Sequence, residues 1–344
     1  MSRVPPAARL AIGAAAAVGA GLALEKTFVR RLRRRADPVT DPLLEVPGDV
    51  RHRGVATPDG GRLHVIERGE GRPLVLLHGI TLAASIWAPQ LHQLAGSAAA
   101  PGFRVIACDL RGHGGSTAGS AGYGLTVLGD DLATVLEELD LRDAIVVGHS
   151  MGGMTLMRFC ADHTDVLDER VAGVAFLATA ASAPIHPLLL SRATALGARL
   201  IDRLDRGDRM PGRAGDNDLS LMMCRLAFGK RPSAAAVEQV RACVEAMDDD
   251  ALGRSGVGLL DHDVRETLGD LDKPALIMVG SRDVLTPVRS ARAIAELLPE
   301  AELRVLPEAG HQLMQERPDE VAAELRALER RVLDEQAGVP AASD

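Results

Sequence analysis

Aromatic side chains are scarce in this chain: five Phe, Trp87 and Tyr123 make up 2% of 344 residues. A ring-rich core is excluded, so Leu, Val and Ala must fill the interior. Cysteine is sparse too. Cys108, Cys160, Cys224 and Cys243 form neither a CxxC pair nor a metal-ligand spacing, which points to a reduced compartment rather than a disulfide or zinc framework. Cys108 and Cys160 sit in apolar runs that read as core. No repeat of about 20–50 residues is visible, which removes solenoids and propellers. Net positive charge is also missing: a formal charge of −8 argues against nucleic acid as a partner of the main body. What is present is ordinary for a globular chain, 47% hydrophobic and 25% charged.

Residues 1–36 stand apart. Leu10 to Leu24 carries no charge, yet as a helix it rises only about 22 Å against about 30 Å of hydrocarbon. The basic block Arg30 to Arg35 follows. A short membrane anchor, a signal segment and a flexible or surface-bound tail all fit this pattern. Arginine after the apolar run favours a cytoplasmic body. The expectation is therefore membrane association through residues 7–35, with an exported or a soluble cytoplasmic protein as alternatives. Residues 37–50, rich in Pro and Asp, read as a linker.

From Arg51 the pattern becomes that of strands. Two short runs flank Asp59-Gly60-Gly61, a hairpin signal. "PLVLLH" (73–78), "FRVIACD" (103–109), "AIVVGH" (144–149), "VAGVAFLAT" (171–179) and "PALIMVG" (274–280) are continuous apolar runs, as in strands buried on both faces. "AELRVLP" (301–307) is more polar and belongs towards a sheet edge. Helical stripes lie between them, at 126–140 with Thr126 as the expected N-cap, and at 287–299 and 317–336 with Pro near each start. This alternation predicts an α/β fold: a mainly parallel twisted sheet of about eight strands with helices on both faces. Its core covers 51–182 and 272–337. Residues 183–271 contain helical patterns but no buried strand, so they read as a helical insertion, and 338–344 as a disordered tail.

Chemistry concentrates at Gly148-His149-Ser150-Met151-Gly152, a G-x-S-x-G sequence between strand and helix. A turn this tight displays the serine at a helix N-terminus, and Gly148 and Gly152 let strand and helix approach. A serine needs a base, and the base an orienting acid. Asp283 and His311 each lie one loop beyond a later strand, in the order Ser, Asp, His, where open α/β sheets bind ligands. Gly79 turns the chain after "LLH", so the N–H groups of Ile80 and Met151 are the expected oxyanion donors. His78 and His149 read as supporting residues rather than bases, because His311 fits the order better. Trp87 reads as packing. Asp109, Arg111 and Ser116 read as hydrogen-bonders fixing the glycine-rich loop "DLRGHGGS" (109–116), with His113 structural as well.

The stretches "HGITLAASIW", "DLRGHGGS", "GHSMGG", "GSRDVLTP" and "EAGHQLMQERPDEV" together resemble the α/β-hydrolase family over about residues 51–336. The elbow looks like that of serine esterases and monoacylglycerol-lipase-like members. The resemblance implies that 183–271 is a lid or cap, where substrate choice lies. It also implies cofactor-free cleavage of a small carboxylic ester with an apolar or lipid-like acyl group, and no metal. Thioesterase, C–C hydrolase, acyltransferase and perhydrolase chemistry use the same serine and stay open. Epoxide hydrolases and haloalkane dehalogenases use aspartate at the elbow, and a serine ether would be a dead end. A non-enzymatic binder on this fold usually lacks one of the three groups, and none is lacking here.

Overall fold

The computed structural model describes Thr27 and residues 29–183 and 218–338. The apolar run Leu10 to Leu24, the end of the chain from 339 and part of the insertion, 184–217, lie outside the described residues. Among the described residues no helix is long and apolar enough to cross a membrane.

An eight-stranded sheet organises the molecule. Its strands are β1 (Arg51–Ala56), β2 (Arg62–Arg68), β3 (Arg72–Leu77), β4 (Phe103–Cys108), β5 (Ala144–His149), β6 (Val171–Leu177), β7 (Ala275–Gly280) and β8 (Glu302–Leu306). They lie in the order β1-β2-β4-β3-β5-β6-β7-β8. β1 and β2 form the antiparallel hairpin, and β2 meets β4 antiparallel. Every later pairing is parallel. Gly60, at φ 91°, takes the left-handed position that the hairpin turn requires. β8 is the far edge and is half exposed, in keeping with its polar sequence.

The pleat divides the core into two layers. Val75, Leu77, Val146, Ile277 and Val279 face one layer. Leu74, Leu76, Ile145, Val147, Leu276 and Met278 face the other. A period of two, apolar on both phases, is why these strands read as unbroken apolar runs. Helices α2 (Leu125–Glu138), α3 (Met151–Asp162), α4 (Thr164–Arg170) and α8 (Val288–Leu297) cover the first face. Helices α1 (Ala88–Leu94) and α10 (Pro318–Gln336) cover the second. Trp87 is fully buried in that second layer and packs as expected. The N-cap of α2 is Gly124 rather than Thr126, and no side chain caps it. The helix starts earlier because Leu125 is itself buried in the core and extends the apolar stripe by one position.

Between β6 and β7 the described part of the insertion is helical: α5 (Asp218–Arg225), α6 (Ala234–Ala246) and α7 (Asp249–Gly258). Ser233 caps α6 and Asp248 caps α7. Residues 37–50 contain the short 3-10 turn Asp41–Leu44, with Leu44 buried. Its carbonyl accepts from Gln239 Nε2 of α6 at 2.9 Å.

Candidate active site

The site forms where several parallel strands end. β5 runs into α3 through Ser150 alone, and this serine sits at φ 53°, ψ −117°. A non-glycine residue there costs on the order of 1–3 kcal/mol, a strain that recurs at functional sites. Ser150 occupies the N-cap position, but its side chain makes no capping bond. Its backbone is tied instead: its N–H donates to Leu177 O at 3.0 Å, and its carbonyl accepts from Thr179 Oγ1 at 2.7 Å. Glycine flanks it for steric reasons. A Cβ on Gly148 would run into the Gly152 carbonyl, and one on Gly152 into that of Leu77.

The other expected residues converge here. His311 follows β8 and is buried, with Nδ1 2.8 Å from Asp283 Oδ2. Asp283, in the loop after β7, also accepts from the N–H groups of Leu285 and Thr286 through Oδ1, at 2.8 and 2.9 Å. Thr286 Oγ1 donates to Asp283 Oδ2 at 2.8 Å and lies 3.2 Å from His311 Nδ1. Burial pushes the Asp283 carboxyl up, but the His311 imidazole and the Thr286 donors outweigh it and hold it below its ordinary value. Ionised Asp283 fixes the proton on Nδ1 and leaves the Nε2 lone pair to the site.

His149, next to Ser150, joins the two halves. Its ring lies 4.7 Å from that of His311, and its Nε2 donates to His311 O at 2.9 Å. Gly79 closes the near side, where a Cβ would stand 2.9 Å from Ser150 Cβ. Ile80 follows it on the same turn. Met151 opens α3, so its N–H has no intrahelical acceptor. His78 is fully buried, with Nδ1 donating to Gly79 O and Nε2 accepting from the Leu110 N–H. Both of its nitrogens are thus committed to holding loops.

The glycine-rich loop after β4 is fixed from within. Asp109 accepts from Ala84 N–H at 2.5 Å, Gly115 N–H at 2.9 Å and His64 Nδ1 at 2.7 Å. Ser116 Oγ donates to Asp109 O. Arg111 is buried and forks onto Asp131 at 2.7 and 2.6 Å, with Asp59 of the hairpin turn as its second carboxylate partner. His113 is buried as well.

Sequence reasoning missed Thr179, Thr286 and the chain segment 226–230. Thr286 had a signal: an Asp in a loop folds the following backbone back onto its own carboxylate in an Asx-turn, which brings the next residues to it. Thr179 and Ala227 had none, since they are brought in by tertiary packing. Among the described residues no group of three or more His, Cys, Asp or Glu is placed to hold a metal ion.

The buried histidines set a pH dependence. Burial lowers the basicity of His78 and His262, drives His149 well down with the His311 imidazole beside it, and takes His113 to about 4. Unfolding frees all of these to protonate below about 6.5, so the unfolded state binds more protons in acid and stability falls. His64, raised by its bond to Asp109, and Glu316, whose carboxyl burial pushes up to about 7, act in the opposite sense, but the four lowered histidines outnumber them. The unfolding free energy should fall from about pH 6.5 downward, by at most about 1.4 kcal/mol per unit for each lowered histidine. Urea midpoints across that range measure it, and a flat profile contradicts it.

A family model described as the alpha/beta hydrolase fold matches residues 72–318. A non-heme chloroperoxidase of Kitasatospora aureofaciens is 30% identical over 272 residues, 74% of this chain and 90% of that protein. A non-heme haloperoxidase of Rhodococcus erythropolis is 30% identical over 281 residues, 79% of this chain and 97% of the relative. Among solved structures, a thermophilic esterase from Thermogutta terrifontis superposes with a TM-score of 0.68 at 25% identity. That match covers 82% of this chain and 99% of the esterase.

Proposed function

This chain belongs to the α/β-hydrolase family, and from that premise we propose that it is a serine hydrolase of carboxylic esters. The observation that carries the reading is Ser150 in a strained left-handed turn, next to His149, whose ring lies 4.7 Å from a buried imidazole bonded to a carboxylate. In the proposed cycle Ser150 Oγ attacks the acyl carbonyl and passes its proton to His311 Nε2. Asp283 stabilises the imidazolium. The N–H groups of Ile80 and Met151 hold the oxyanion. His311 returns the proton to the departing alcohol, leaving an acyl-enzyme on Ser150. Water, deprotonated by His311, then releases the acid and restores the serine.

An apolar acyl group is the proposed substrate feature. Val284 and Leu285, immediately after Asp283, are exposed at 67% and 50%, an apolar rim beside the site. Membrane association through residues 7–35, which would suit lipid-derived esters, is proposed on sequence alone. A panel of p-nitrophenyl esters of rising chain length tests the substrate class. Turnover should rise from acetate to medium chains, and failure to hydrolyse any member contradicts the reading.

A second reading is favoured by the relatives named as non-heme chloroperoxidase and haloperoxidase. In it hydrogen peroxide replaces water as the attacker of the same acyl-enzyme, and the product is a peracid. The triad roles are unchanged. Peracid formation from an ester in the presence of peroxide separates the two.

A further inference from the structure

The loop that carries His311 is held from outside the reacting centre. The segment between α5 and α6, residues 226–230, lies against it. Ala227 O accepts the backbone N–H of His311 at 2.8 Å, and Lys230 N–H donates to Glu308 O at 3.0 Å. Gly229 and Gly310 meet backbone to backbone: a Cβ on Gly229 would overlap the Glu308 carbonyl, and one on Gly310 the Gly229 nitrogen. Glu316, from the short helix α9 (Leu313–Glu316), spans this junction. Its Oε2 accepts from Gly229 N–H at 2.7 Å and its Oε1 from Gly310 N–H at 2.9 Å. One carboxylate thus binds the residue before His311 and the residue two after Ala227.

We infer that Glu316 is a positioning residue for His311, clamping segment 226–230 of the insertion to the loop that presents the imidazole. The inference rests on the role proposed above for His311. The insertion then supplies part of the mount of the base. A charged acceptor shared by two N–H groups is strong and directional. Both of its oxygens are in use, so no neutral side chain of the same shape can replace it. Glutamine would offer one oxygen and set an NH2 against the remaining N–H.

Burial pushes the Glu316 carboxyl up to about 7, against the Gly229 and Gly310 donors. Variants are therefore compared at alkaline pH, where the wild-type carboxylate is ionised. Glu316→Gln should lower kcat about tenfold with KM within about twofold, since a misplacement of about 1 Å costs on the order of a hundredfold and substrate does not touch this group. The downfield proton resonance of the His311–Asp283 hydrogen bond should shift or broaden in the same variant. Glu316→Asp, which keeps the charge on a shorter stem, should recover part of kcat, and it carries the test if the glutamine variant does not fold. A kcat within twofold of wild type overturns the clamp, as does a lower kcat with an unchanged His311 resonance. His311→Ala is assayed alongside. Full activity there removes the hydrolase reading itself, whereas an inactive His311→Ala with a fully active Glu316→Gln removes the clamp alone.

Discussion

Ser150→Ala should lower kcat/KM on the best ester by on the order of 10⁴- to 10⁶-fold, leaving a folded protein. Alanine removes only the hydroxyl. That hydroxyl caps no helix, and the backbone bonds to Leu177 and Thr179 stay in place, so the melting temperature should hardly move. Alanine also keeps the unfavourable left-handed turn, so relief of strain cannot disguise the result. The members of a triad act as one unit and their losses do not add. Ser150→Ala combined with His311→Ala should be no slower than Ser150→Ala alone. Steady-state kinetics on purified variants, with thermal melts beside them, give the answer. An additive double variant would mean that the two residues serve separate steps.

Asp283→Asn should cost about 10⁴-fold in kcat, and the geometry explains why an amide of nearly the same shape is so damaging. Oδ1 accepts two backbone N–H groups, from Leu285 and Thr286. The asparagine oxygen must take that place, because an NH2 there would face two donors. The NH2 then occupies the Oδ2 position, 2.8 Å from His311 Nδ1. It can only donate, so Nδ1 must become an acceptor and the proton moves to Nε2. The imidazole is then the wrong tautomer to take a proton from Ser150, although nothing has moved. A loss of less than tenfold would show that Asp283 is no more than the anchor of an Asx-turn.

The sheet was legible because its chemistry is periodic. β5 and β7 are buried along their whole length, and each reads as one apolar run. Position relative to the strands was legible too: Asp283 and His311 each follow a strand by a few residues, and the fold brings the loops of adjacent strands β7 and β8 together. The sequence was silent where contact depends on packing between distant segments. Nothing near Thr179 marks it as the donor to Ser150 O, and nothing in "LAFGK" marks Ala227 as the acceptor for His311. Arg111 was legible as a loop-fixing residue, but Asp131 and Asp59, its partners, were not. Those three come from a loop, a helix and a hairpin turn that only the folded sheet makes neighbours. Thr126 shows a different limit. A good capping residue near a helix start lost to Gly124 because the apolar Leu125 decided where the helix began.

We propose Ser150 as a nucleophile made reactive by His311. Labelling with a fluorophosphonate, followed by intact mass and peptide mapping, tests it most directly. One adduct per chain is expected, on Ser150, absent in Ser150→Ala and strongly slowed in His311→Ala. An unlabelled wild-type protein, or an adduct on another residue with Ser150→Ala still hydrolysing esters, would contradict it.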